Sequence, residues 1–484
     1  MAKRPNVVLI CVDQWRGDCL SVAGHPVVQT PYLDKLALDG VRFERAYSAT
    51  PTCIPARAAL YTGLSQKTHG RIGYQDGMPW NYPCTMAGEF TAGGYQTQAI
   101  GKLHVFPERS QMGFQNVILH DGYLHFVRKK DEWGQVDDYI PWLRERDVAG
   151  ADYFEHGVNC NSIVARPWDK AERLHPTNFI VSQSVAFLRR RDPGKPFFLF
   201  MSFHRPHPPY DPPAWAFEQY INRQMPEPPR GDWLDLYAAH ADPRRPDCLV
   251  GRVDPHALQR ARAGYYGHMS HIDHQINRFM ETLAERNLLD DTWVCFTSDH
   301  GEMLGDHDLF RKGFPYEGSA HVPLILRGPK DSGLKVRSAL RPVVELRDIM
   351  PTLLECAGLP VPKHVEGLSF LGLARGERST WRPYLHGEHT LLGQDIHWLT
   401  DEREKYVWFS GSGKEQLFDL QRDPQETTDL ARKPEQASRL DRWRKALMGE
   451  LAGREEGFTD GQRLVPARPV QNCLAHLRKE AGQA

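Results

Sequence analysis

A cysteine placed between two prolines is the first residue that could carry chemistry. In the segment TPTCIPARAAL, Cys53 is followed by Pro55 and Arg57. Pro55 suits the first turn of a helix because its missing N–H costs nothing there, and Gly63 is placed to end that helix. Cys53 would then lie at the N-terminal end of the helix, where the helix dipole and Arg57 favour an anion. A thiol in that place is either unusually acidic or the precursor of other chemistry.

Polar side chains follow each of four apolar runs that are typical of buried strands. The runs are NVVLICV, QTQAIG, FFLFMSF and WVCFTS, and the residues after them are Asp13 and Gln14, Lys102 and His104, His204, and Asp299 and His300. Any one of these has an ordinary explanation as a turn former, a helix cap or a structural histidine. Because ligands bind at the carboxyl ends of the strands in open α/β sheets, the four groups together predict a functional site at that edge.

The residue types at this edge indicate a metal ion. Asp13, Gln14 and Asp299 supply carboxylate and amide oxygens. His300 adds a single imidazole, whereas zinc sites usually contain several histidines or cysteines. Hard oxygen ligands favour a hard divalent cation, so the sequence predicts Ca²⁺, Mg²⁺ or Mn²⁺.

Basic residues near the same edge indicate an anion beside that metal. Lys102, Arg57 and Lys312 would form a pocket for a tetrahedral anion and stabilise charge on its oxygens. His104 and His204 could donate hydrogen bonds to the anion or protonate a leaving oxygen.

Alternating strand and helix patterns must position these residues. A fifth apolar run, PLILRG, covers 323–328, and helical patterns cover 32–40, 178–191, 257–289 and 346–358. Strands that alternate with helices predict an α/β fold in which parallel strands form one sheet covered by helices on both faces. The proline-rich and aromatic segment 205–250 is expected to be a long surface loop that shapes the site.

The sequence pattern changes near residue 380. Short alternating strands with turns, followed by a helix within 435–452, predict a small antiparallel sheet. We therefore expect a catalytic domain over 1–380 and a C-terminal subdomain over 381–484. The final segment, 458–484, shows no period and is expected to wrap back over the main body.

Composition restricts the class of protein. The chain has 484 residues, of which 40% are hydrophobic and 25% charged, and 60 basic residues balance 61 acidic ones. This composition is typical of a globular protein. The net charge is close to zero and the sequence has no long run of charges of one sign, so neither feature indicates binding to nucleic acid or to a membrane. The nine cysteines lack paired spacing. Without a recognisable signal peptide, this pattern leads us to expect a cytoplasmic protein.

The motifs resemble those of the sulfatases, within the alkaline phosphatase superfamily. CIPAR matches their Cys-x-Pro-x-Arg signature, and AALYTG continues it. Further blocks follow in family order: VDQWRGD, GKLH, SFHRPHPPYDPP, TSDHGEMLGDH and RKGFPYEGSAHVPLI. The resemblance covers about 1–380 strongly and reaches the C-terminal subdomain through LFDLQRDPQETTDLA. It implies an alkaline phosphatase-like fold, with a large mixed, mostly parallel sheet sandwiched by helices.

The resemblance also implies how Cys53 would act. In sulfatases this cysteine is oxidised after translation to formylglycine by a formylglycine-generating enzyme. One hydroxyl of the hydrated aldehyde attacks sulfur, and the other expels sulfate as the aldehyde re-forms. By motif, Asp13, Gln14, Asp299 and His300 would bind one divalent metal together with modified Cys53. Ca²⁺ is favoured by the family, with Mn²⁺ or Mg²⁺ as alternatives.

The remaining roles are carried over in the same way. Lys102 and Lys312 would hold the sulfate oxygens, and Arg57 would steady the aldehyde hydrate and the metal ligands. His104 would assist deprotonation of the second hydroxyl. His204 would face the leaving oxygen.

Two departures from the common pattern keep other functions open. Many sulfatases have Asp where this chain has Gln14, and Asn where it has His300; both variants also occur in phosphonate and phosphodiester hydrolases of the superfamily. The sequence therefore predicts a hydrolase of small-molecule or saccharide sulfate esters, favoured by Lys102 and His104 in GKLH. The alternatives are a phosphonate monoester or phosphodiester hydrolase and a non-catalytic metal- and anion-binding homologue. The alcohol and the oligomeric state stay open.

Overall fold

A large mixed sheet lies at the centre of the protein. The structure, a computed structural model, describes residues 4–122, 136–147, 157–378 and 380–482. Its strands are β1 Asn6–Asp13, β2 Val41–Phe43, β3 Ala46–Tyr47, β4 Gln96–Gly101, β5 Asn116–Leu119, β6 Phe197–Pro206, β7 Thr292–Ser298, β8 Leu324–Arg327, β9 Ser338–Leu340, β10 Val344–Glu345, β11 Leu385–Leu391, β12 Gln394–Thr400, β13 Glu404–Phe409 and β14 Glu415–Asp419. Eight of them form the central sheet in the order β5-β4-β6-β1-β7-β8-β2-β9.

Helices cover this sheet and flank its loops. The α-helices of the described chain are α1 Pro31–Leu38, α2 Cys53–Thr62, α3 Gln66–His69, α4 Met86–Ala92, α5 Tyr139–Arg144, α6 Pro176–Arg190, α7 Ala214–Ile221, α8 Pro255–Glu285, α9 Glu317–Ala320, α10 Ile349–Cys356, α11 Leu371–Arg375, α12 Ala437–Glu450 and α13 Ala475–Glu480. The four helical patterns in the sequence correspond to α1, α6, α8 and α10. None of the helices in the described ranges is long and apolar enough to cross a membrane.

Strand β1 shows why the sheet has helices on both faces. Successive side chains of a strand point to opposite faces. Val8 and Ile10 belong to one buried cluster together with residues of α1, α6 and α8. Val7 and Leu9 belong to another with residues of α2, α4 and α10. A strand buried on both faces is apolar throughout, which is the pattern that the sequence shows.

The direction of β8 differs from the prediction. The strands β4, β6, β1 and β7 run parallel to one another, as expected. The run at 323–328 does form a strand, but β8 is antiparallel to both of its neighbours, β7 and β2. Two consecutive strands can be parallel neighbours only if the chain between them crosses back to the end of the sheet at which the first strand began, usually through a helix. Between β7 and β8 the only α-helix is the four-residue α9, so the chain re-enters the sheet from the end at which it left.

A separate antiparallel sheet follows, as the sequence predicts. Strands β11 to β14 pair in sequence order. One face packs against α12 through Trp408 and Trp443. Its other face buries Trp398 against aromatic residues of the catalytic body, including Tyr47 and Trp233. The boundary at residue 380 stays a prediction.

Two expectations about the loops have different outcomes. The segment 205–250 is a surface loop only in part: most of 222–247 is exposed or half-buried, but the segment also contains α7 and buries Tyr210, Trp233 and Tyr237. Burial of these aromatic side chains removes a large apolar area from water and so stabilises the fold. The tail does wrap back, because Ile72 N–H donates to the carbonyl of Asn472 at 3.0 Å.

Candidate active site

Cys53 is the first residue of α2 and lies where the ends of β1 and β7 meet. Gly63 ends the helix in the left-handed conformation at φ 67°, as its position predicts. The Cys53 Sγ atom is 3.2 Å from His300 Nε2 and 3.7 Å from Asp13 Oδ1. The helix N-terminus therefore delivers the thiol to the polar edge of the sheet.

Four predicted metal ligands converge there. One ligand atom from each of Asp13, Cys53, Asp299 and His300 lies within 4.8 Å of the others, and all four side chains are buried. The ring atom His300 Nδ1 lies 2.9 Å from the carbonyl of Gly301 and donates to it. The lone pair of Nε2 then faces the carboxylates, which is the tautomer that a metal ligand requires.

Gln14 is held tightly but by other partners. Its backbone has φ 73°, which is uncommon for a residue other than glycine, and its N–H donates to Asp299 Oδ1 at 3.2 Å. Its side-chain oxygen accepts from Lys312 Nζ at 2.6 Å, and its amide nitrogen donates to Glu302. The Gln14 side-chain oxygen is thus bound by the Lys312 ammonium, while the Gln14 backbone lies beside the Asp299 carboxylate.

Opposite charges are packed closely around Cys53. Lys102 forms a buried ion pair with Asp13. Burial raises the pKa of Asp13, but Lys102, His207, His300 and Lys312 together outweigh it and hold the pKa well below its ordinary value, so the carboxyl is ionised. Burial and Asp13 raise the pKa of the Cys53 thiol, yet Lys102, Lys312 and His300 bring it below its ordinary value. An unmodified Cys53 would therefore be an acidic thiol.

Arg57 supports the site from behind and does not line the cavity. Its Nε donates to Asp299 Oδ2 at 2.9 Å, and its Nη1 donates to the carbonyl of Lys102 at 2.8 Å and to Ser202 Oγ at 2.9 Å. These bonds fix a candidate ligand and the backbone at the end of β4. Arg57 is not among the residues that line the cavity, so its contact with the anion stays a prediction.

The backbone after β4 turns so that Lys102 and His104 reach the same cavity. Gly101 is required at the start of the turn: it has φ 104°, and a Cβ there would lie 1.8 Å from the carbonyl oxygen of Ser202. Asp121 Oδ1 accepts the N–H of Leu103 at 2.7 Å and of His104 at 3.0 Å. The carboxylate thereby holds His104 at φ 59°.

His204 is oriented by a buried arginine. Arg205 Nη1 lies 2.6 Å from His204 Nδ1, and the same guanidinium binds Asp211 through two bonds of 2.8 and 2.9 Å. Arginine can only donate, so Nδ1 of His204 is the acceptor and Nε2 carries the proton. Burial, His207 and Arg205 hold the pKa of His204 well below its ordinary value, so the ring is neutral.

His207 is a site residue that the sequence analysis did not select. Its Nε2 accepts from Lys312 Nζ at 2.7 Å, while its Nδ1 donates to the carbonyl of Pro208 at 2.9 Å. His207 is the second histidine of HRPHPP, only three residues after His204, and that proximity could have indicated it as a site residue.

The site opens into a cavity of about 500 Å³. Cys53, Lys102, His104, His204 and Lys312 line it, as the sequence predicts for residues that contact substrate. The wall also includes His389 of β11 and Leu249, which belongs to the segment 205–250 that was expected to shape the site. Its further residues Tyr74, Asp121, Arg311, Leu391, Leu392 and Asn472 were not predicted. Several of these come from β11 or the tail, so the C-terminal part of the chain forms one wall.

Several large aromatic residues have structural roles. Tyr210, Trp233 and Trp398 are buried away from the cavity, and Trp215 is exposed outside it. In the segment HMSHIDHQ of α8 the helix face is packed, and Asp273 accepts the backbone N–H groups at the start of α1.

A further buried group joins His175, Asp211 and His268. Arg205 already neutralises Asp211, and the N–H of Asp211 donates to His268 Nε2 at 3.0 Å. Asp211 is thus held by Arg205 and His268, and through Arg205 the group supports His204.

Comparisons with known proteins agree with this geometry. The family model described as Sulfatase matches residues 5–359, and the one described as N-sulphoglucosamine sulphohydrolase, C-terminal, matches residues 305–452. An arylsulfatase of Clostridium perfringens (strain 13 / Type A) is 50% identical over 482 residues, covering 98% of this chain and 100% of the relative.

Two solved structures share the fold. The phosphonate monoester hydrolase of Agrobacterium radiobacter has a TM-score of 0.77 at 28% identity, covering 92% of this chain and 95% of its own. BT4656, solved with its substrate D-glucosamine-2-N,6-O-disulfate, has a TM-score of 0.73 at 22% identity, covering 93% and 98%. At that lower identity the likeness shows the fold alone. Because the Sulfatase model spans most of the chain and an arylsulfatase matches it along its full length, the chain belongs to the sulfatase family of enzymes, with an alkaline phosphatase-like fold.

Proposed function

We propose that this sulfatase hydrolyses the sulfate monoester of a small molecule or saccharide, with formylglycine made from Cys53 as its nucleophile. The observation that supports this most directly is the meeting of Cys53, Asp13 and His300 at the N-terminus of α2. The sulfur–oxygen bond of the ester breaks, the alcohol leaves, and sulfate takes its new oxygen from the hydrate of residue 53. A formylglycine-generating enzyme would be the partner during maturation.

The donor set fits one divalent cation. Two buried carboxylates, an imidazole in the correct tautomer and residue 53 present their ligand atoms to a common point. Asp13, Asp299 and His300 would hold the ion, with Gln14 contributing once Lys312 turns to the substrate. Ca²⁺ is the first choice for mostly oxygen ligands, with Mn²⁺ or Mg²⁺ as alternatives. The ion would supply positive charge that lowers the pKa of a bound hydroxyl and stabilises sulfate oxygens.

The chain's own cations would bind the sulfate group. Lys102 and Lys312 line the cavity on either side of Asp13 and Gln14, within hydrogen-bond distance of those side chains. Charge that builds on the sulfate oxygens in the transition state would be stabilised by both ammonium groups. His104 would accept the proton of the second hydroxyl, and His204 Nε2–H would donate to the leaving oxygen.

Replacing Cys53 tests the nucleophile. We expect Cys53→Ala to abolish hydrolysis of 4-nitrophenyl sulfate while leaving the circular dichroism spectrum and Tm near those of wild type. Mass spectrometry of the peptide that contains residue 53 should show the lower mass of formylglycine in active wild-type protein. Sulfatase activity of Cys53→Ala above trace level would show that another group is the nucleophile.

Replacing Asp299 tests the metal site. Asp299→Ala should lower bound metal and activity together, because it removes a ligand and leaves Arg57 without its partner. Metal content is measured by mass spectrometry of extensively dialysed protein. Asp306→Ala is the matched control, since Asp306 pairs with Arg16 and Arg262 outside the site. Full metal occupancy in Asp299→Ala would remove Asp299 from the ligand set.

A phosphonate monoester hydrolase is the second candidate, favoured by the structural likeness to the Agrobacterium enzyme. The converted enzyme should be assayed with 4-nitrophenyl sulfate, 4-nitrophenyl phenylphosphonate and bis(4-nitrophenyl) phosphate. We expect the highest kcat/KM for the sulfate ester, because Lys102 and His104 both face the cavity. A preference for either phosphorus ester would reverse the assignment.

A further inference from the structure

Among the described residues that line the cavity, one cation is not used by the sulfate site. Lys102 pairs with Asp13, and Lys312 binds Gln14 and His207. Arg311 lines the same cavity. Its guanidinium forms no ion pair or hydrogen bond with any residue in the described ranges, and its Nε is buried without a partner.

The backbone around Arg311 is fixed. Its φ is 66°, a conformation that costs free energy for a side chain with a Cβ. The Glu302 carboxylate accepts its N–H, and its carbonyl accepts from Met303 N–H at 2.8 Å. The protein thus keeps an unfavourable backbone conformation at the position that presents this arginine to the cavity.

In the part of the chain that the structure describes, no acidic side chain forms an ion pair with the guanidinium. Asp247 lies within range of its charge, but that carboxylate is held by Arg245 at 2.9 Å. Asp121, which also lines the cavity, accepts the N–H groups after β4. A sulfate monoester carries a single negative charge, which Lys102 and Lys312 can receive, so Arg311 remains without an anion.

The surrounding wall is largely apolar. Tyr74, Leu249, Leu391 and Leu392 line the cavity together with Arg311. Such a wall suits the faces of an aromatic ring, and a partly desolvated arginine beside it suits a carboxylate or sulfonate oxygen pair.

We propose that Arg311 binds a second anionic group on the aromatic alcohol half of the substrate. The natural substrate would then be a doubly charged aryl sulfate, with the ester at Cys53 and a carboxylate or sulfonate-type group at Arg311. This inference rests on the proposed sulfatase function, and it concerns the part of the substrate that leaves.

A matched pair of substrates tests it without any mutation. 4-(Sulfooxy)phenylacetate and 4-(sulfooxy)phenylacetamide differ in charge, while a methylene group keeps their leaving-group pKa values close. A charge-assisted bidentate contact predicts that wild-type kcat/KM is about tenfold to a hundredfold higher for the acetate. (4-Sulfooxyphenyl)methanesulfonate, assayed alongside, shows whether a carboxylate or a sulfonate is preferred.

Variants then assign the preference to one residue. Arg311→Met should bring the acetate-to-acetamide ratio to about one, and Arg311→Lys should keep part of it. Arg223→Met, a change at an exposed arginine outside the cavity, should leave the ratio as in wild type. A wild-type ratio near one, or an unchanged ratio in Arg311→Met, would overturn the inference. Failure to hydrolyse either aryl sulfate would instead contradict the proposed function.

Discussion

At the scale of single residues, hydrogen-bond donors determine what each histidine can do. His204 accepts a hydrogen bond at Nδ1 from Arg205 and is kept neutral by burial and neighbouring positive charge. It can therefore donate from Nε2 throughout the neutral pH range without first becoming an imidazolium. In His300 the proton is on the other nitrogen: Nδ1 donates to the carbonyl of Gly301, which leaves Nε2 free to bind a metal.

This leads to a prediction about leaving groups. His204→Ala should reduce kcat/KM about a hundredfold for phenyl sulfate, whose leaving oxygen needs a donor, and much less for 4-nitrophenyl sulfate. A plot of log kcat/KM against leaving-group pKa should become steeper in the variant. Because His204 stays neutral, it should contribute no inflection to the pH profile of kcat/KM between about pH 6 and 9. The profile of His204→Ala should therefore have the same shape as that of wild type in this range. An equal loss for both esters would indicate that His204 has only a structural role.

At the scale of elements, helices and strands depend on groups that lie far away in sequence. Helix α1 begins at Pro31, and its N-cap Thr30 makes no side-chain cap. Asp273 of α8 replaces that cap, accepting from Tyr32 N–H at 3.2 Å and Leu33 N–H at 2.7 Å. Burial raises the pKa of Asp273 to about 7. The cap therefore stabilises the fold best when it carries a proton.

The thermal stability of the protein should depend on pH through Asp273. Because the pKa of Asp273 in the folded state is raised from 3.8 to about 7, its favourable contribution is complete below the unfolded pKa and is lost as pH rises to about 7. Asp273→Asn keeps one acceptor and cannot ionise. The Tm of the variant minus that of wild type should therefore increase between pH 5 and 8, as measured by thermal unfolding. A difference that stays constant over this range would contradict the assignment.

At the scale of the whole molecule, the antiparallel sheet is joined to the catalytic body by buried charge as well as by aromatic packing. Lys405 of β13 is fully buried, 2.7 Å from Glu317 of α9 and 2.8 Å from Glu426. The same junction brings β11 to the active site, where His389 Nε2 lies 2.9 Å from the hydroxyl of Thr52. The two parts of the chain therefore share one site.

Removing the central cation should weaken this junction strongly. Lys405→Met removes the lysine that pairs with buried Glu426 and leaves Glu317 to Arg45 and His321, so the free energy of unfolding should fall by about 3–5 kcal/mol. Lys35→Met is the matched control: its pair with Asp39 is on the surface, with the lysine side chain 71% exposed, and should change stability by less than about 0.5 kcal/mol. Urea unfolding measures both. Equal effects would mean that the buried pair adds nothing to the junction.

The sequence by itself determined the features that local spacing encodes. Cys53 at a helix start follows from Pro55 and Gly63, because capping preferences act over a few residues. The apolar runs predicted four parallel strands. Because parallel strands end at the same edge of a sheet, Asp13, Lys102, His204 and Asp299, which lie at or just after these ends, were expected at one edge.

Only the tertiary structure decided which partners those side chains meet. Arg57 turned out to hold Asp299, 242 residues away, and the cavity wall beside Cys53 includes His389, bonded to a residue 337 positions earlier. The direction of β8 depended on where its connection runs, and the aromatic residues of 205–250 were buried by a sheet that follows them in sequence. Spacing along a chain records the period of an element, but contacts between elements depend on packing over long separations, which no local pattern contains.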